Sequence, residues 1–266
     1  MKKIKLFCFP YAGGSAAAIY APWRQYLHPQ VELVPVELAG RGRRIHEARY
    51  ADLPAAIEDA FCLIEGQLSG GAYAFFGHSL GGLIAFELAH CLRDRGYPAA
   101  RHLFFSGKSA PHVADSHPKQ YHLMGEEEFK REVMELGGTP PELFEHPELL
   151  QLFLPLLRSD FKLAETPLHP SRLRPLDCRF TVFLGRDDQL SDAQCDGWHD
   201  LTARCCNLHY FTGGHFFLHQ HTGPIVQIIN VGLAECTGCR RTAWLHAPAT
   251  QPEGALPAHA GTRSNL

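Results

Sequence analysis

The residues with the clearest chemical potential surround a serine that lies between two glycines. Gly77, Ser79 and Gly81 form the pattern G-x-S-x-G inside the segment AYAFFGHSLGGLIAFELA. A strand-like apolar run precedes the pattern and a segment of helical period follows it, which is the context of a nucleophile elbow. The glycines let the chain turn sharply, and the dipole of the following helix favours negative charge beside the serine. We therefore predict that Ser79 is the nucleophile of an acyl transfer; the alternative is an ordinary helix cap.

A serine nucleophile needs a base, and the sequence offers 17 histidines. In this arrangement an acid and then a histidine follow the serine along the chain. His215 comes directly after Gly213 and Gly214 and the last candidate strand, so it would lie at the same sheet edge as Ser79. We predict that His215 is the base. The alternatives lie in a strand, in a helix or in the following segment: His209, His199, His219 and His221.

The acid that orients this histidine should follow the preceding strand. Asp187 and Asp188 come directly after the run 180–184, and either carboxylate could accept the Nδ1 hydrogen of the imidazole. Adjacent residues after a strand usually point in opposite directions, so we expect one to be the acid and the other a turn residue. Asp160 is a less favourable candidate, because a helix or lid contact explains it better.

An oxyanion hole requires two backbone N–H groups that point at one position. The residue after the nucleophile, Leu80, would supply the first. The loop FPYAGGSA after the first candidate strand would supply the second, from Tyr11 or Ala12. Gly13 and Gly14 let this backbone pass close to a substrate. A plain turn is the alternative for the glycine pair alone, but a loop of this kind is expected where an elbow follows.

These residues need a scaffold, and the sequence alternates short β-rich runs with longer segments of helical period. That alternation is typical of a mostly parallel sheet with crossover helices. The candidate strands are residues 3–9, 32–37, 72–77, 102–106, 180–184 and 207–211. The candidate helices are residues 53–68, 81–95, 192–203 and 223–234. The sequence therefore predicts an open α/β fold.

One insertion interrupts the alternation. From about residue 111 to residue 167 we expect no strand but several helices, including EEEFKREVMEL and PELLQLFLPLLRSDF. Such an insertion lies over the carboxyl ends of the strands, where ligands of open α/β sheets bind, so we predict a helical lid. After residue 235 the composition shifts to Ala, Pro, Thr, Gly and His. We expect one domain over residues 1–235 and a disordered tail over 236–266.

Composition excludes several classes of function. The chain of 266 residues carries 25 Lys plus Arg against 28 Asp plus Glu, so no overall field points to nucleic acid. No run reaches the roughly 20 apolar residues of a membrane span, and Pro10 interrupts the run a signal peptide would need. Nine irregularly spaced cysteines suit reduced thiols, and Cys236 with Cys239 alone makes a poor zinc site. We expect a cytoplasmic protein without a metal.

Together these motifs resemble those of the type II, or editing, thioesterases that accompany polyketide and nonribosomal peptide synthetases. The likeness covers residues 3 to about 235. It rests on the separated motifs FCFPYAGGSA, VPVELAGRGRR, FFGHSLGGLIAFELA, HLFFSGKSAPH, FLPLLRSDF, FLGRDD and FTGGHFFLHQH. The resemblance implies the α/β-hydrolase fold, with flanking helices and a helical lid over the sheet.

The resemblance also implies roles for single residues. In that family the aspartate is the fourth residue of a G-x-x-D motif, which here selects Asp188 over Asp187. Ser79 and His215 would complete the catalytic triad. The N–H groups that stabilise the oxyanion would come from two further residues, Ala12 and Leu80.

The activity that the resemblance implies is hydrolysis of acyl groups from the phosphopantetheine thiol of carrier proteins, which restores stalled or misprimed synthases. The partners would be acyl- or peptidyl-carrier proteins. The phosphopantetheine would belong to the substrate, so we expect an enzyme without a cofactor. We also expect the enzyme to be active as a monomer. A cluster of basic side chains, Arg41, Arg43 and Arg44, would meet an acidic carrier or simply form a solvated loop.

Three other functions remain open at this point. A dedicated product-releasing thioesterase and a small-molecule carboxylesterase or lipase would use the same scaffold. The loop FPYAGGSA differs from the HGGG loop of many esterases and lipases, which weighs against the second. A catalytically inactive scaffold that binds carrier proteins is the third, and the complete order of Ser79, Asp188 and His215 weighs against it.

Overall fold

A computed structural model describes residues 3–115, 118–138, 143 and 146–235 of the chain. Its strands are β1 (Ile4–Phe9), β2 (Val31–Pro35), β3 (Tyr73–His78), β4 (His102–Ser106), β5 (Arg179–Gly185) and β6 (Cys206–Phe211). They form one sheet in the order β2-β1-β3-β4-β5-β6, and every pair is parallel. Each strand begins and ends within two residues of a predicted run. The predicted α/β fold with a mostly parallel sheet is therefore confirmed.

The central strands are buried on both faces. All residues of β3 (YAFFGH) and β4 (HLFFS) are buried, as expected for parallel strands that helices cover on both sides. Successive side chains point to opposite faces. Phe75 and Phe105 therefore belong to one apolar core, whereas Phe76 and Phe104 belong to the other.

Helices cover both faces of this sheet. The helices of the described residues are α1 (Ala16–Tyr20), α2 (Leu53–Leu68), α3 (Leu80–Asp94), α4 (Glu126–Leu136), α5 (Pro147–Ala164), α6 (Asp192–Asp196), α7 (Phe217–Gln220) and α8 (Thr222–Glu235). α2 and α3 contribute to the core with Phe75, and α1 and α8 to the core with Phe76. α2 begins where predicted, because the Asp52 carboxylate accepts the Ala55 N–H at 2.9 Å.

One predicted helix is shorter than expected. The segment 192–203 forms only α6, which a 3₁₀ turn over Gly197–Leu201 follows. A Cβ atom at Gly197 would lie 2.6 Å from Val113 and 2.9 Å from Ala110. Close packing against the loop after β4 therefore requires glycine at this position, a long-range contact that helical period does not reveal.

The described part of the insertion between β4 and β5 contains α4 and α5, and no strand. We call these two helices the lid. They share a small core of their own, made of Phe129, Val133, Leu150, Leu154 and Leu157. No described helix of the chain combines the length and the apolar character that a membrane crossing requires. The predicted tail over 236–266, with Cys236 and Cys239, lies outside the described residues.

Candidate active site

Ser79 lies at the turn between β3 and α3. Its φ of 53° and ψ of -115° fall in a region that residues with a side chain rarely adopt. It is the only non-glycine residue with a positive φ in the described part of the chain. The Ser79 N–H donates to the Ser106 carbonyl at 2.8 Å, and the Ser79 carbonyl accepts from the Gly82 N–H at 2.9 Å. Such strain persists only where the surroundings impose it, and it is common at functional sites.

Two glycines make this turn possible, because backbone atoms fill the space where their side chains would lie. A Cβ atom at Gly77 would lie 2.0 Å from the Gly81 carbonyl oxygen. One at Gly81 would lie 2.2 Å from the Phe9 carbonyl oxygen. Both distances are shorter than any contact between nonbonded carbon and oxygen atoms. The G-x-S-x-G pattern is thus a packing requirement of the turn that carries Ser79.

His215 and Asp188 meet where the loops after β6 and β5 come together. The His215 Nδ1 and the Asp188 Oδ2 lie 2.9 Å apart, and only 20% and 13% of these side chains are exposed. A carboxylate on Nδ1 fixes the ring and leaves Nε2 able to accept a proton. Among the described residues no hydrogen bond joins Ser79 Oγ to His215. Such bonds are often long before substrate binds.

Asp187 has a different partner. Its Oδ2 accepts the Gly213 N–H at 3.2 Å, and its own N–H donates to the Gly213 carbonyl at 3.1 Å. Gly213 has a φ of 105°, which glycine adopts readily. These two bonds fix the loop that carries His215. The neighbouring carboxylates therefore point in different directions, and in the described structure it is Asp188 that contacts the imidazole.

The N–H groups of Ala12 and Leu80 belong to two elements that pack closely together. The chain after β1 passes directly against the start of α3, as the 2.2 Å distance from the Cβ position of Gly81 to Phe9 shows. Within the described ranges, neither N–H donates to a protein atom. Leu80 is the first residue of α3, so its N–H is one of the unpaired groups of a helix N-terminus. Free N–H groups at such an end suit a developing oxyanion.

A histidine inside the elbow motif was missed by the sequence reasoning. His78 is fully buried, and its Nδ1 lies 2.9 Å from Ser106 Oγ. Burial, reinforced by the nearby His215 and His219, holds the pKa of His78 well below its usual value. The His78 ring packs 5.1 Å from the His215 ring and 5.6 Å from the Phe216 ring. His78 therefore links the Ser79 turn to the His215 loop as a neutral ring, a role that its place in the motif does not reveal.

The other histidines considered as bases have structural partners. His199 and His221 each place a ring nitrogen 2.9 Å from a backbone carbonyl. The His219 Nε2 lies 3.1 Å from the Tyr11 hydroxyl. His209 lies in β6, where burial lowers its pKa. In the described ranges no group of three or more His, Cys, Asp or Glu side chains could hold a metal ion. Independence from cofactors stays a prediction.

The three arginines of the basic cluster have different environments. Arg41 is 3% exposed and forms two hydrogen bonds, at 2.7 and 2.8 Å, with the Asp160 carboxylate. Arg44 donates to Asp59 at 2.7 and 2.9 Å, and it also pairs with Glu47. Arg43 is exposed. Arg41 is therefore an internal residue, and Arg43 is the member of the cluster that solvent reaches most.

Comparisons with known proteins agree on one family. The model of the thioesterase domain family matches residues 4–232. Linear gramicidin dehydrogenase LgrE of Brevibacillus parabrevis is 38% identical over 231 residues, which are 85% of this chain and 86% of that protein. The name of that relative does not describe a thioesterase, whereas the family model that spans this chain does.

Solved structures give the same answer. ClbQ from the colibactin NRPS/PKS pathway superimposes with a TM-score of 0.83 at 36% identity, over 89% of this chain and 99% of that chain. The type II thioesterase BorB from the borrelidin biosynthetic cluster superimposes with a TM-score of 0.77 at 30% identity, over 87% of this chain and 93% of that chain. The resemblance deduced from the motifs is thus confirmed, and the chain belongs to the thioesterase domain family.

Proposed function

We propose that this thioesterase works through a catalytic triad of Ser79, His215 and Asp188. The observation that carries the proposal is the 2.9 Å contact between His215 Nδ1 and Asp188 Oδ2, next to the strained turn of Ser79. A serine hydroxyl alone is a weak nucleophile, and a base of fixed orientation makes it reactive. The free N–H groups of Ala12 and Leu80 complete the set that acyl transfer requires.

In the first half of the reaction, the Ser79 oxygen attacks the thioester carbonyl while His215 Nε2 accepts the hydroxyl proton. The electron pair of the C=O bond moves onto oxygen, where the N–H groups of Ala12 and Leu80 stabilise the charge. The tetrahedral intermediate then collapses and its C–S bond breaks. His215 returns the proton to the leaving thiolate, which gives a free thiol and an acyl group on Ser79.

In the second half, water attacks the acyl group and His215 accepts a proton from that water. Collapse of the new intermediate breaks the bond to Ser79, which takes the proton back from His215 and releases a carboxylic acid. The Asp188 carboxylate orients the ring throughout and stabilises the imidazolium. Nucleophile, base and orienting acid all come from the chain, which supports a mechanism without a cofactor.

The substrates we infer are acyl groups on the phosphopantetheine arm of acyl- or peptidyl-carrier proteins. ClbQ belongs to a colibactin NRPS/PKS pathway and BorB to a borrelidin cluster. This chain matches almost the whole length of both proteins. A separate hydrolase that removes stalled acyl groups from such carriers performs an editing function. A thioester is already activated, so the site needs no special machinery for the leaving group.

Several exposed side chains are candidates for contact with a carrier protein. Arg43 is exposed, Ile45 two residues later is 57% exposed, and Leu152 on α5 is 71% exposed. All candidate site residues lie in one chain, which supports activity as a monomer. Free thiols at the described cysteine positions support a reducing, cytoplasmic location.

The experiment that tests this function is intact-mass analysis of several acyl-carrier proteins after incubation with the enzyme. We expect each carrier to lose its acyl group and to return to the free phosphopantetheine form. Ser79→Ala is the matched control, because it removes one hydroxyl and the turn tolerates alanine. Deacylation that proceeds equally with this variant would contradict the triad.

The same assay separates the remaining alternatives. Turnover of one acyl group only would indicate a dedicated product-releasing thioesterase. Fast hydrolysis of small esters without turnover of carriers would indicate a carboxylesterase. Tight carrier binding without any turnover by the unmodified enzyme would indicate an inactive scaffold.

A further inference from the structure

A buried carboxylate of the lid reaches the loop that carries Ala12. Asp160 of α5 is 1% exposed. Its Oδ2 accepts the Gly13 N–H at 2.7 Å and an Arg41 N–H at 2.7 Å, while its Oδ1 accepts a second Arg41 N–H at 2.8 Å. Gly13 and Asp160 are 147 positions apart in the sequence. One side chain therefore ties the lid to the backbone beside the proposed oxyanion hole.

Other contacts leave this loop little freedom. Gly13 has a φ of 74°, and a Cβ atom there would lie 2.8 Å from the Phe153 ring and 3.0 Å from Leu157. α5 thus lies directly on the loop. Beyond Gly13, the Glu37 carboxylate accepts the Ser15 hydroxyl at 2.7 Å and the N–H of the next residue at 2.9 Å.

The Asp160 contact acts on the peptide plane next to the proposed donor. The Gly13 nitrogen shares a rigid plane with the Ala12 carbonyl, so holding the Gly13 N–H fixes one side of Ala12. An oxyanion donor stabilises charge only where its direction is set before the reaction, because no reorganisation is then needed. A donor that drifts from this direction would weaken the transition state more than the binding of substrate.

We propose that Asp160 is a positioning residue for the oxyanion hole, with Arg41 as the partner that binds its carboxylate inside the protein. The inference rests on the proposed function, since it assumes that Ala12 supplies a donor. Its consequence is that the lid helix α5 is part of the catalytic apparatus. The loop reaches its active geometry only when this end of α5 is docked.

The test compares two double variants on an acyl-pantetheine thioester, a substrate without a carrier. Asp160→Leu with Arg41→Leu removes both charges and the acceptor, and such apolar replacement of a buried ion pair is often tolerated by the fold. Asp160→Asn with Arg41→Gln also removes both charges but keeps an amide oxygen for the Gly13 N–H. Covalent labelling of Ser79 with a fluorophosphonate counts the active sites, so that kcat is expressed per folded enzyme.

We expect the leucine pair to lower kcat about 100-fold, the lower end of what loss of an oxyanion donor produces, with KM changed less than about threefold. Inhibition by a boronic acid, which forms a tetrahedral adduct on Ser79, should weaken by a similar factor. The variant with Asp160→Asn and Arg41→Gln should stay within about tenfold of the unmodified enzyme in kcat and in boronic acid inhibition. Its amide oxygen can still accept the Gly13 N–H.

The matched control is the ion pair between Glu87 of α3 and Arg172, whose Oε2 and Nε lie 2.7 Å apart and which does not contact the Ala12 loop. Glu87→Leu with Arg172→Leu should leave kcat and boronic acid inhibition within about threefold, since neither side chain positions a donor. An equal loss of kcat in this control, unchanged kcat in the leucine pair, or a loss confined to KM would overturn the positioning role. Failure of the proposed function would give a different result. The Ser79→Ala variant would then hydrolyse the thioester as fast as the unmodified enzyme.

Discussion

The nucleophile elbow and the lid are built very differently. At the elbow, backbone atoms lie 2.0 and 2.2 Å from the Cβ positions of Gly77 and Gly81, and every residue of β3 is buried. The lid carries leucines that solvent reaches, with Leu149 44% and Leu152 71% exposed. The elbow has no free volume around its glycines, whereas the lid leaves apolar side chains exposed to solvent.

We infer that this difference separates chemistry at the elbow from selection of substrate at the lid. Acyl transfer needs atoms held within a few tenths of an ångström, and rigid elements supply that precision. A binding surface for varied acyl chains needs area rather than precision. The lid itself is divided, because Asp160 near the end of α5 is docked on Arg41 and Gly13. We expect any lid movement to be confined to α4 and the start of α5, before Phe153 meets the Gly13 loop.

The largest expected effect lies at the rigid site. Asp188→Asn should lower kcat by about 10⁴-fold, because the imidazole then loses its orienting carboxylate. Asp187→Asn is the matched variant, and it should reduce kcat only severalfold, since an amide oxygen can still accept the Gly213 N–H. Steady-state hydrolysis of an acyl-pantetheine thioester measures both. Reversed effects would show that Asp187 is the acid and that the contact with Asp188 is incidental.

The parts of this site that the sequence predicts are those with a local cause. Gly77 and Gly81 are required by a single turn, so three positions within five residues identify it. The strands follow from continuous apolar runs, which only a doubly covered parallel sheet explains. Asp188 and His215 each follow a strand at one sheet edge, and the family pattern chooses between the two neighbouring aspartates.

The parts that the sequence does not predict depend on residues far apart in the chain. Arg41 and Asp160 are separated by 119 positions, so no periodicity connects them. Arg41 therefore looks like one of three exposed arginines, although it is buried. His78 is equally hidden, because its burial depends on the loops after β4 and β6. Long-range polar pairing, unlike a turn or a strand, leaves no repeating pattern.

A second prediction tests the absence of free volume at the elbow. Gly81→Ala should reduce the free energy of unfolding by about 3 kcal/mol or more, because its Cβ must displace backbone. Gly66→Ala in α2 is the control. A Cβ there meets nothing within 4 Å, so alanine should stabilise the helix by up to about 1 kcal/mol. Urea denaturation measures both, and equal stability of the two variants would contradict the packing argument.

A third prediction concerns pH and α3. His90 is fully buried, and burial first, then nearby arginines, lower its pKa to about 3. The folded protein therefore keeps His90 neutral, whereas the unfolded chain binds a proton below a pKa of about 6.5. Stability should fall as pH drops from about 6.5 towards 3, with a contribution from His90 of up to about 1.4 kcal/mol per pH unit.

His90→Leu should remove this contribution, since leucine keeps the contact with Phe86, whose ring centroid lies 4.6 Å from that of His90. Urea denaturation of both proteins at pH 7.5, 6.5, 5.5 and 4.5 measures the difference. We expect the two stability curves to diverge below about pH 6.5, with the variant less sensitive to acid. The buried His78 has a lowered pKa as well, so some acid sensitivity should persist. Parallel curves would contradict a neutral His90 in the folded state.

The smallest expected effect lies at the lid. Leu152→Ser should change the free energy of unfolding by less than about 0.5 kcal/mol, because the side chain is already exposed. If the apolar face of α5 lines the acyl channel, the variant should keep its kcat/KM for acetyl-pantetheine and lose severalfold for longer acyl chains. Ile45→Ser is the control, since Ile45 is similarly exposed but lies outside the lid. It should leave the dependence on chain length unchanged.

The unmodified enzyme should itself be permissive. Each methylene in a loose apolar channel changes binding by only about 1 to 3 kcal/mol, so hydrolysis of acetyl, propionyl, butyryl and longer acyl groups should span a modest range of kcat/KM. A preference beyond roughly a thousandfold for one chain would exceed what such a channel delivers. It would mean that the lid selects substrates as strictly as the elbow positions Ser79. The contrast between the two regions would then be wrong, and the enzyme would release one dedicated product.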